Sequence, residues 1–367
     1  MASSKLFQPI KVGQCQLEHR IVMPPLTRCR ADAENVILPE AVEYYTQRAC
    51  VPGGLIVAEA THISPRHCAR RHLVGVWTKP QIEGWRKVVD AVHAKGCRMF
   101  CQLIAPGRAG HWLGEDLVSS SPTPMEIGAE VPREMTEAEI WQCVADFAQA
   151  AKNCMEAGFD GIELHGANGY LIDQFLQDVC NVRTDSWGSS VENRSRFLVE
   201  VTKAVCEAIG SDRVGVRLSP WNKWQGMKME VSAAEAQFSD AVTRLKPFNL
   251  AYLHLIESRV VNNIDCERQE GLEFALKIWD NQSPVILAGG YNASNVNEAV
   301  NGEYAKYDVL VSIGRFFVSN PDLVYRIRKG LPLTAYDRTT FYITDPNMGY
   351  KDYEFSKDFS SETEVQG

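Results

Sequence analysis

The sequence predicts a closed (β/α)8 barrel, and three observations lead to that fold class. Short runs of apolar residues recur eight times along the 367 residues. Stretches with the apolar spacing of helices lie between these runs, and an alternation of strands and helices is typical of a parallel sheet. The middle of the chain has no segment rich in Pro, Gly and Ser. The alternative of two doubly wound domains is therefore disfavoured, because it would need a linker.

The apolar runs are rich in Val, Ile and Leu, and most of them end in or just before a small or polar residue. Runs this short, with little alternation between apolar and polar residues, are typical of strands buried on both faces. Eight such strand–helix units in one chain predict a closed barrel. The expected strands are Ile21–Pro25, Leu55–Ala60, Arg98–Leu103, Gly161–Gly166, Val214–Ser219, Ala251–Ile256, Val285–Gly290 and Val309–Gly314.

The segments between the runs place apolar residues at helical spacing, as Ile82 and Trp85 show in one of them. Thr136 and Glu139 match a capping box, in which each side chain bonds the backbone N–H of the other residue, so a helix should begin there. The expected helices are Pro80–Lys95, Thr136–Ala157, Asn193–Ile209, Ala233–Leu245, Leu272–Trp279 and Pro321–Lys329.

Two segments exceed a minimal barrel. Pro106–Arg133 is a long polar insertion after the third strand, and Leu331–Gly367 extends the chain beyond the last helix. The end of this extension, residues 356–367, is polar and is expected to be disordered, as chain termini without apolar anchors often are. We interpret residues 1–367 as one barrel domain that carries both additions.

The composition is that of a folded protein and argues against two classes of partner. Hydrophobic residues make up 45% of the chain and charged residues 23%, so disorder is not expected over most of its length. The net charge of 38 − 46 = −8 is unfavourable for binding a nucleic-acid backbone. No apolar run reaches the roughly 20 residues of a membrane helix, and the first residues lack a signal-peptide pattern. The sequence therefore predicts a soluble, cytoplasmic protein.

The 11 cysteines are scattered, mostly in apolar or helical contexts, which is typical of reduced core cysteines. Cys97 and Cys101 lie four residues apart, but no second pair of Cys or His follows at the spacing of zinc ligands. We therefore expect no metal site.

Active sites in this fold form at the carboxyl ends of the strands, and the loops after strands 7 and 8 commonly bind phosphate. These strands end in Gly289-Gly290 and Gly314-Arg315. Glycines allow a close approach of the backbone, and an arginine adds a permanent charge with a fork of N–H donors. The alternative is that the glycines only end strands in turns. Both pairs together, with the arginine, favour a phosphate site.

The densest polar cluster follows strand 4 and contains His165, Asn168 and Tyr170. Two hydrogen-bond donors aimed at one carbonyl oxygen polarise it and stabilise the enolate as charge develops. A tyrosine beside them can donate a proton as a general acid. The alternative is a capped turn with a core histidine, but three such residues at one strand end favour catalysis.

These residues stand in motifs that resemble the old yellow enzyme family of flavin-dependent ene reductases. The most specific motif is the stretch from His165 to Phe175, followed by Asn181–Gly188 and Ser190–Arg194. The resemblance runs from about residue 5 to about residue 355 and is greatest to fungal members, some of which serve alkaloid and other secondary pathways. The other matching motifs are Met23–Arg28, Gln102–Leu103, Gly107–Ala109, Val216–Pro220, Ser312–Phe316, Asn320–Leu323, Tyr336–Arg338 and Phe341–Tyr342.

The resemblance implies one non-covalently bound FMN per barrel, reduced by NADPH. Arg217 would lie where the reduced flavin becomes anionic, and Thr27 would tune the electron affinity of the flavin by a hydrogen bond. The resemblance implies that the flavin ring is lined by Pro25, Leu26, Thr27, Ala60 and Gln102. It also implies that the phosphate of FMN is bound by Gly289, Gly290, Gly314 and Arg315.

The resemblance also implies the substrate site. His165 and Asn168 would bind the carbonyl oxygen, Tyr170 would donate the proton, and Tyr342 would help to close the pocket. Many relatives have a tryptophan where this chain has Ile104, so the pocket should admit bulkier substrates.

Two further differences from the family concern the rim of the pocket. Trp221 and Trp224 replace commoner residues and leave the shape of the mouth open. A basic segment after strand 2 is either a rim that attracts an anion or a solvated loop, and it contains Arg66, Arg70 and Arg71.

The sequence thus predicts an FMN-dependent, NADPH-dependent ene reductase that reduces the C=C bond of an α,β-unsaturated carbonyl compound, as a monomer or homodimer. A flavin-dependent isomerase or another redox-neutral enzyme is the first alternative, and the presence of Tyr170 argues against it. A barrel that has lost its chemistry is the second alternative. The intact set of polar residues at the strand ends argues against that one.

Overall fold

The computed structural model describes residues 4–68, 71–110, 117–261 and 264–366, and eight parallel strands form a closed barrel at its centre. The last barrel strand pairs with the first, which closes the sheet. The predicted fold class is therefore confirmed. The strands are β1 (Ile21–Met23), β2 (Leu55–His62), β3 (Arg98–Ile104), β4 (Gly161–Gly166), β5 (Val214–Leu218), β6 (Tyr252–Ile256), β7 (Val285–Ala288) and β8 (Val309–Ser312).

All eight expected strands are present, and their ends lie within two residues of the expected positions. The strands are buried on both faces, as β2 shows along its whole length. β1, β5, β7 and β8 end earlier than expected. The prolines after β1 lack the N–H group that a ladder needs, and the serine after β5 and the glycines after β7 leave the ladder. Those residues are free to turn into the rim of the barrel.

Helices surround the barrel and cover its outer face. The predicted capping box is confirmed: Thr136 accepts a hydrogen bond from the Glu139 backbone N–H, and Glu139 accepts one from the Thr136 N–H. The longer helices are Glu40–Arg48, Lys79–Ala94, Glu137–Glu156, Val191–Ile209, Val231–Leu245, Glu273–Trp279 and Leu323–Lys329. Shorter ones are Leu171–Leu176, Val296–Glu298 and Arg315–Ser319. Among the described residues, no helix is both long and apolar enough to cross a membrane.

In the described part of the chain, three short strand pairs lie outside the barrel. The hairpin Ile10–Val12 with Cys15–Leu17 packs its apolar side chains against the amino-terminal end of the barrel. Val118–Ser119 pairs with Arg133–Glu134 and closes the insertion after β3. The third pair is Val260–Val261 with Ile264–Asp265.

The end of the chain differs from the expectation of disorder. Lys357–Gln366 forms a helix. The Phe359 ring lies 5.2 Å from the rings of Phe355 and Tyr325, and Lys329 pairs with Glu362 at 2.8 Å. These aromatic contacts give the helix an anchor on the barrel that the polar sequence of the terminus does not reveal.

Three buried arginines hold the C-terminal extension against the barrel. Arg28 donates to the Gly349 carbonyl at 2.6 Å, and Arg48 donates to the Tyr350 carbonyl at 3.2 Å. Arg30 donates to the carbonyls of Phe341 and Met348 at 2.9 and 2.8 Å. A guanidinium can bond several carbonyls at once because its five N–H groups form a fixed fork. The extension is therefore fixed at the carboxyl-terminal rim of the barrel.

We expect Arg30→Met to lower the free energy of unfolding by more than about 3 kcal/mol, because several buried carbonyls lose their donor. Urea denaturation followed by circular dichroism measures this change. Arg86→Met is the matched control, since the Arg86 side chain is 45% exposed, and it should change stability by less than about 0.5 kcal/mol. Equal losses in the two variants would contradict the role of Arg30.

Candidate active site

Two neighbouring cavities open at the carboxyl ends of the strands, and Trp224 lines both of them. We call the one of about 260 Å³ the inner cavity and the one of about 680 Å³ the outer cavity. The predicted site residues that line the inner cavity are Pro25, Leu26, Asn168, Arg217, Gly289, Gly290, Gly314 and Arg315. Those that line the outer cavity are Thr27, Ala60, Ile104, Tyr170 and Tyr342.

The glycines after β7 adopt a backbone conformation that favours glycine. Gly289 has φ of +108° and Gly290 has φ of +66°. A Cβ atom on Gly314, at the end of β8, would lie 3.3 Å from the Leu26 side chain and 3.4 Å from Pro24. Side chains at these positions would therefore be strained or crowd the wall of the inner cavity.

Arg315 contributes the cation at this end of the inner cavity. Its guanidinium donates to the Tyr336 hydroxyl at 3.0 Å and lies 5.6 Å from the Tyr336 ring centroid. Tyr336 therefore limits the orientations available to the Arg315 side chain. Glycines with open backbone beside an oriented guanidinium form a suitable set of groups for a phosphate.

Arg217 lies in β5 opposite His165 of β4. Its Nε is buried without a hydrogen-bond partner among the described residues. Burial lowers the pKa of Arg217, whereas the nearby Glu163 carboxylate raises it. A buried guanidinium with an unused donor requires an acceptor, and the electron-rich edge of a flavin ring is suited to supply one. The inner cavity therefore fits FMN at its ring end as well as at its phosphate end.

His165 is a neutral hydrogen-bond donor. Its ring is 4% exposed, and burial together with Arg217 lowers its pKa to about 3. The Ala167 backbone N–H donates to His165 Nδ1 at 3.3 Å, so the single ring proton lies on Nε2. This tautomer presents an N–H group and no positive charge.

A tight turn after β4 brings Asn168 and Tyr170 next to His165. Asn168 has φ of +56°, and its backbone N–H donates to Ser219 Oγ at 2.8 Å. The next N–H, that of Gly169, donates to the buried carboxylate of Asp173 at 2.8 Å. The rings of His165 and Tyr170 meet edge to face with centroids 4.7 Å apart. Asn168 lines the inner cavity and Tyr170 lines the outer one, whereas His165 packs against Tyr170 without lining either cavity.

The outer cavity lies between the insertion, the loop after β5 and the C-terminal extension. Trp224 and Tyr342 lie at its mouth and are 44% and 55% exposed. Ile104, the last residue of β3, is part of its wall. Charged side chains of Lys223 and Arg338 also line it. An apolar wall with a wide, partly charged mouth suits a sizeable organic substrate.

The structure places several predicted residues away from the cavities. Arg66 and Arg71 are exposed, and neither lines the outer cavity. Their charge is visible in the sequence, but the direction in which the segment leaves β2 is not. Arg70 lies outside the described residues. Gln102 is buried next to the site, where its Nε2 donates to Glu163 at 2.7 Å.

The sequence reasoning missed the polar residues inside the barrel. Glu163, Tyr252, His254 and Ser312 are buried on three of its strands. The available signal was a charged or polar residue within an otherwise apolar run. Among the residues that the structure describes, the 11 cysteines form no disulfide. Within the described ranges, no three His, Cys, Asp or Glu side chains are grouped to hold a metal ion.

An inner cavity fitted to FMN beside a neutral histidine and a tyrosine defines a flavin-dependent oxidoreductase. Comparison of the sequence with known families agrees: residues 5–334 match the NADH:flavin oxidoreductase / NADH oxidase family. The chain belongs to this family, which includes the old yellow enzymes. Membership confirms the predicted enzyme class and its FMN cofactor.

Relatives of known name are similar over nearly the whole chain. A chanoclavine-I aldehyde reductase of Penicillium roqueforti is 48% identical over 99% of both chains. An NADP-dependent oxidoreductase of Aspergillus flavus is 51% identical over 96% of this chain and 97% of that one. The crystal structure of Old Yellow Enzyme from Pichia sp. AKU4542 superposes with a TM-score of 0.89 and 37% identity, covering 97% of this chain and 95% of that one.

We expect the His165 ring to remain neutral, with its proton on Nε2, from pH 5 to pH 8. Its pKa of about 3 lies below this range because the buried site disfavours a second positive charge beside Arg217. NMR spectra of protein with ¹⁵N-labelled histidine report the tautomer directly, and His165→Asn assigns the signal. A titration of that signal with a midpoint between pH 5 and pH 8 would contradict the neutral donor.

Proposed function

We propose that the protein is an NADPH-dependent ene reductase that reduces the C=C bond of an α,β-unsaturated carbonyl compound. The observation that carries this proposal is the edge-to-face contact between the neutral His165 ring and Tyr170, which lines the outer cavity next to the inner one. A donor for a carbonyl oxygen and a donor of a proton to carbon are thereby within reach of one bound molecule.

In this proposal FMN extends from the inner cavity to the border of the outer cavity, and the substrate occupies the outer cavity. The backbone of Gly289 and Gly290, together with Gly314 and Arg315, would hold the phosphate. Arg217 would supply a positive charge next to the ring. Pro25, Leu26, Thr27, Ala60 and Gln102 would line the ring. When bound and reduced by NADPH, FMN would supply a hydride to the electron-poor alkene carbon.

The protein side chains prepare the alkene for reduction. His165 Nε2–H and the Asn168 side chain donate to the carbonyl oxygen, which withdraws electrons from the double bond. As the β-carbon is reduced, negative charge accumulates on that oxygen, and donors already in place stabilise it without reorganisation. The Tyr170 hydroxyl then donates a proton to the α-carbon. Because Tyr170 is present, a complete reduction is favoured over a redox-neutral isomerisation.

The substrate in this proposal is larger than a small cyclic enone. The outer cavity is roomy, and Ile104 leaves space where an indole side chain would fill it. The relatives named as a chanoclavine-I aldehyde reductase and as an NADP-dependent oxidoreductase support an unsaturated aldehyde of fungal secondary metabolism and NADPH as the reductant. The cytoplasmic location and the monomeric or homodimeric state remain predictions.

We expect the purified protein to release FMN rather than FAD on denaturation, and Arg315→Ala to retain it less well. Loss of a charge-assisted contact weakens binding by about 1.5–3 kcal/mol, or roughly ten- to a hundredfold in Kd. Chromatography of the released flavin and titration of the apoprotein measure both. Arg328→Ala is the control, since Arg328 is exposed on the helix Leu323–Lys329. Recovery of FAD, or equal affinities in the two variants, would contradict the site.

We expect Tyr170→Phe to leave the reduction of FMN by NADPH nearly unchanged and to slow the reduction of the alkene. Only the second half-reaction needs a proton at carbon, and loss of a general acid slows such a step by on the order of 10²–10⁴-fold. Stopped-flow measurement of each half-reaction separates the two. If both slow equally, Tyr170 acts in positioning and not as the proton donor.

A further inference from the structure

A hydrogen-bonded cluster centred on Glu163 lies inside the barrel, one layer below His165 and Arg217. The Glu163 carboxylate is fully buried. It accepts hydrogen bonds from Gln102 Nε2 at 2.7 Å and from the Tyr252 hydroxyl at 3.0 Å. His254 Nδ1 lies 2.7 Å from the same carboxylate. The cluster thus joins β3, β4 and β6.

The negative charge of this cluster, on Glu163, is balanced by the positive charge of Arg217. Burial lowers the pKa of His254, so this histidine is neutral and donates its Nδ1–H to Glu163. Burial raises the pKa of Glu163, but His254, Arg217 and Tyr252 together outweigh burial and hold the pKa below its usual value. Glu163 is therefore an ionised carboxylate whose countercharge is Arg217.

Glycines in the neighbouring strands leave the space that the side chains of this cluster occupy. A Cβ atom on Gly215 of β5 would lie 2.3 Å from the Tyr252 ring, and one on Gly161 would lie 2.3 Å from the Phe100 ring. Phe100 in turn packs on Tyr252 with centroids 5.5 Å apart. Tyr252 reaches Glu163 because both glycines lack side chains. An apolar core would not require this arrangement, and a buried charge is costly unless it is well paired.

Glu163 decides which end of the Gln102 carboxamide is free. A carboxylate has only acceptors, so the NH₂ group of Gln102 must face Glu163. The Gln102 Oε1 atom is then directed away and has no hydrogen bond in the part of the chain that the structure describes. Arg217 Nε is likewise unpaired there. The site thus offers one unused acceptor and one unused cationic donor.

We propose that Glu163 is a positioning residue for FMN, which it serves by fixing Gln102 so that its carboxamide oxygen accepts from the flavin ring. The inference rests on the FMN site proposed above. Oxidised isoalloxazine has a single ring N–H, N3–H, with a carbonyl on either side. Gln102 Oε1 complements that N–H, and the Arg217 guanidinium complements a neighbouring carbonyl. If the Gln102 carboxamide were turned the other way, its NH₂ group would face the flavin N3–H, and two donors would meet.

Glu163→Gln tests this role, because the new carboxamide has nearly the same shape but can donate. Its NH₂ group would pair with the Gln102 oxygen and turn the Gln102 NH₂ towards the flavin. Affinity is measured by the quenching of flavin fluorescence on titration of the apoprotein with FMN and with N3-methyl-FMN. In the wild type, methylation should weaken binding by about tenfold or more, as loss of a buried hydrogen bond does. In Glu163→Gln, the two flavins should bind within about threefold of each other.

Glu59→Gln is the matched control. Glu59 is also a buried glutamate of the barrel, and its carboxylate accepts from the Arg28 backbone N–H at 3.1 Å instead of facing Gln102. This variant should keep the full preference for FMN over N3-methyl-FMN. A loss of preference in Glu59→Gln equal to that in Glu163→Gln would show a general effect of replacing a buried glutamate of the barrel and would overturn the proposal.

A double variant that exchanges the two residues, Gln102→Glu with Glu163→Gln, tests whether the preference for FMN can be restored. It preserves the number of charges and restores an acceptor towards the flavin, so it should recover the preference for FMN. This variant decides the question if Glu163→Gln alone does not fold. Full preference in Glu163→Gln, or no recovery in the exchange variant, overturns the role of Glu163. A wild-type protein that binds neither flavin would instead contradict the FMN site itself.

Discussion

Closure of eight parallel strands into one barrel brings the carboxyl ends of all the strands to the same rim. Thr27, Tyr170 and Arg315 are far apart in the chain, yet this constraint brings them to two adjoining cavities. Strand register refines the arrangement, because Arg217 pairs with His165 on one side and with His254 on the other. The site therefore depends on the pairing of the strands before any side chain makes a specific contact.

The charge on Arg217 links the rim to the barrel interior. A cation this enclosed favours electron-rich groups above it, and burial together with this cation keeps His165 neutral. The same cation would be costly to bury alone, and the Glu163 carboxylate below it compensates. The positive charge of Arg217, the neutral His165 beside it and the negative charge of Glu163 in the interior are thus parts of one electrostatic arrangement.

Much of the barrel could be predicted from the sequence, because buried parallel strands and amphipathic helices leave periodic patterns. The residues proposed to hold the phosphate could also be selected from the sequence, since Gly289, Gly290 and Arg315 directly follow strands. The cluster around Glu163 could not, because a polar residue in an apolar run does not reveal which partners meet it across a barrel. The contacts of Arg30 were also hidden, since most of its acceptors are backbone carbonyls about 310 residues or more away.

The two cavities differ in the parts of the chain that form them. The inner cavity is built largely at strand ends and tight turns, where closure of the barrel and positive φ angles leave little freedom. The outer cavity takes most of its wall from the insertion, the loop after β5 and the C-terminal extension. Loops accept substitutions more readily than paired strands, so substrate choice can change while the flavin site is kept.

The C-terminal extension shows how a loop wall can still be held firmly. Tyr342 adjoins Phe341, whose carbonyl accepts from both Arg28 and Arg30. The guanidinium groups therefore fix the backbone next to a residue that lines the outer cavity, although no strand or long helix passes there. A wall fixed through its backbone leaves its side chains free to vary. The buried arginines therefore determine where the wall lies. Side chains such as those of Tyr342 and Trp224 determine its chemistry.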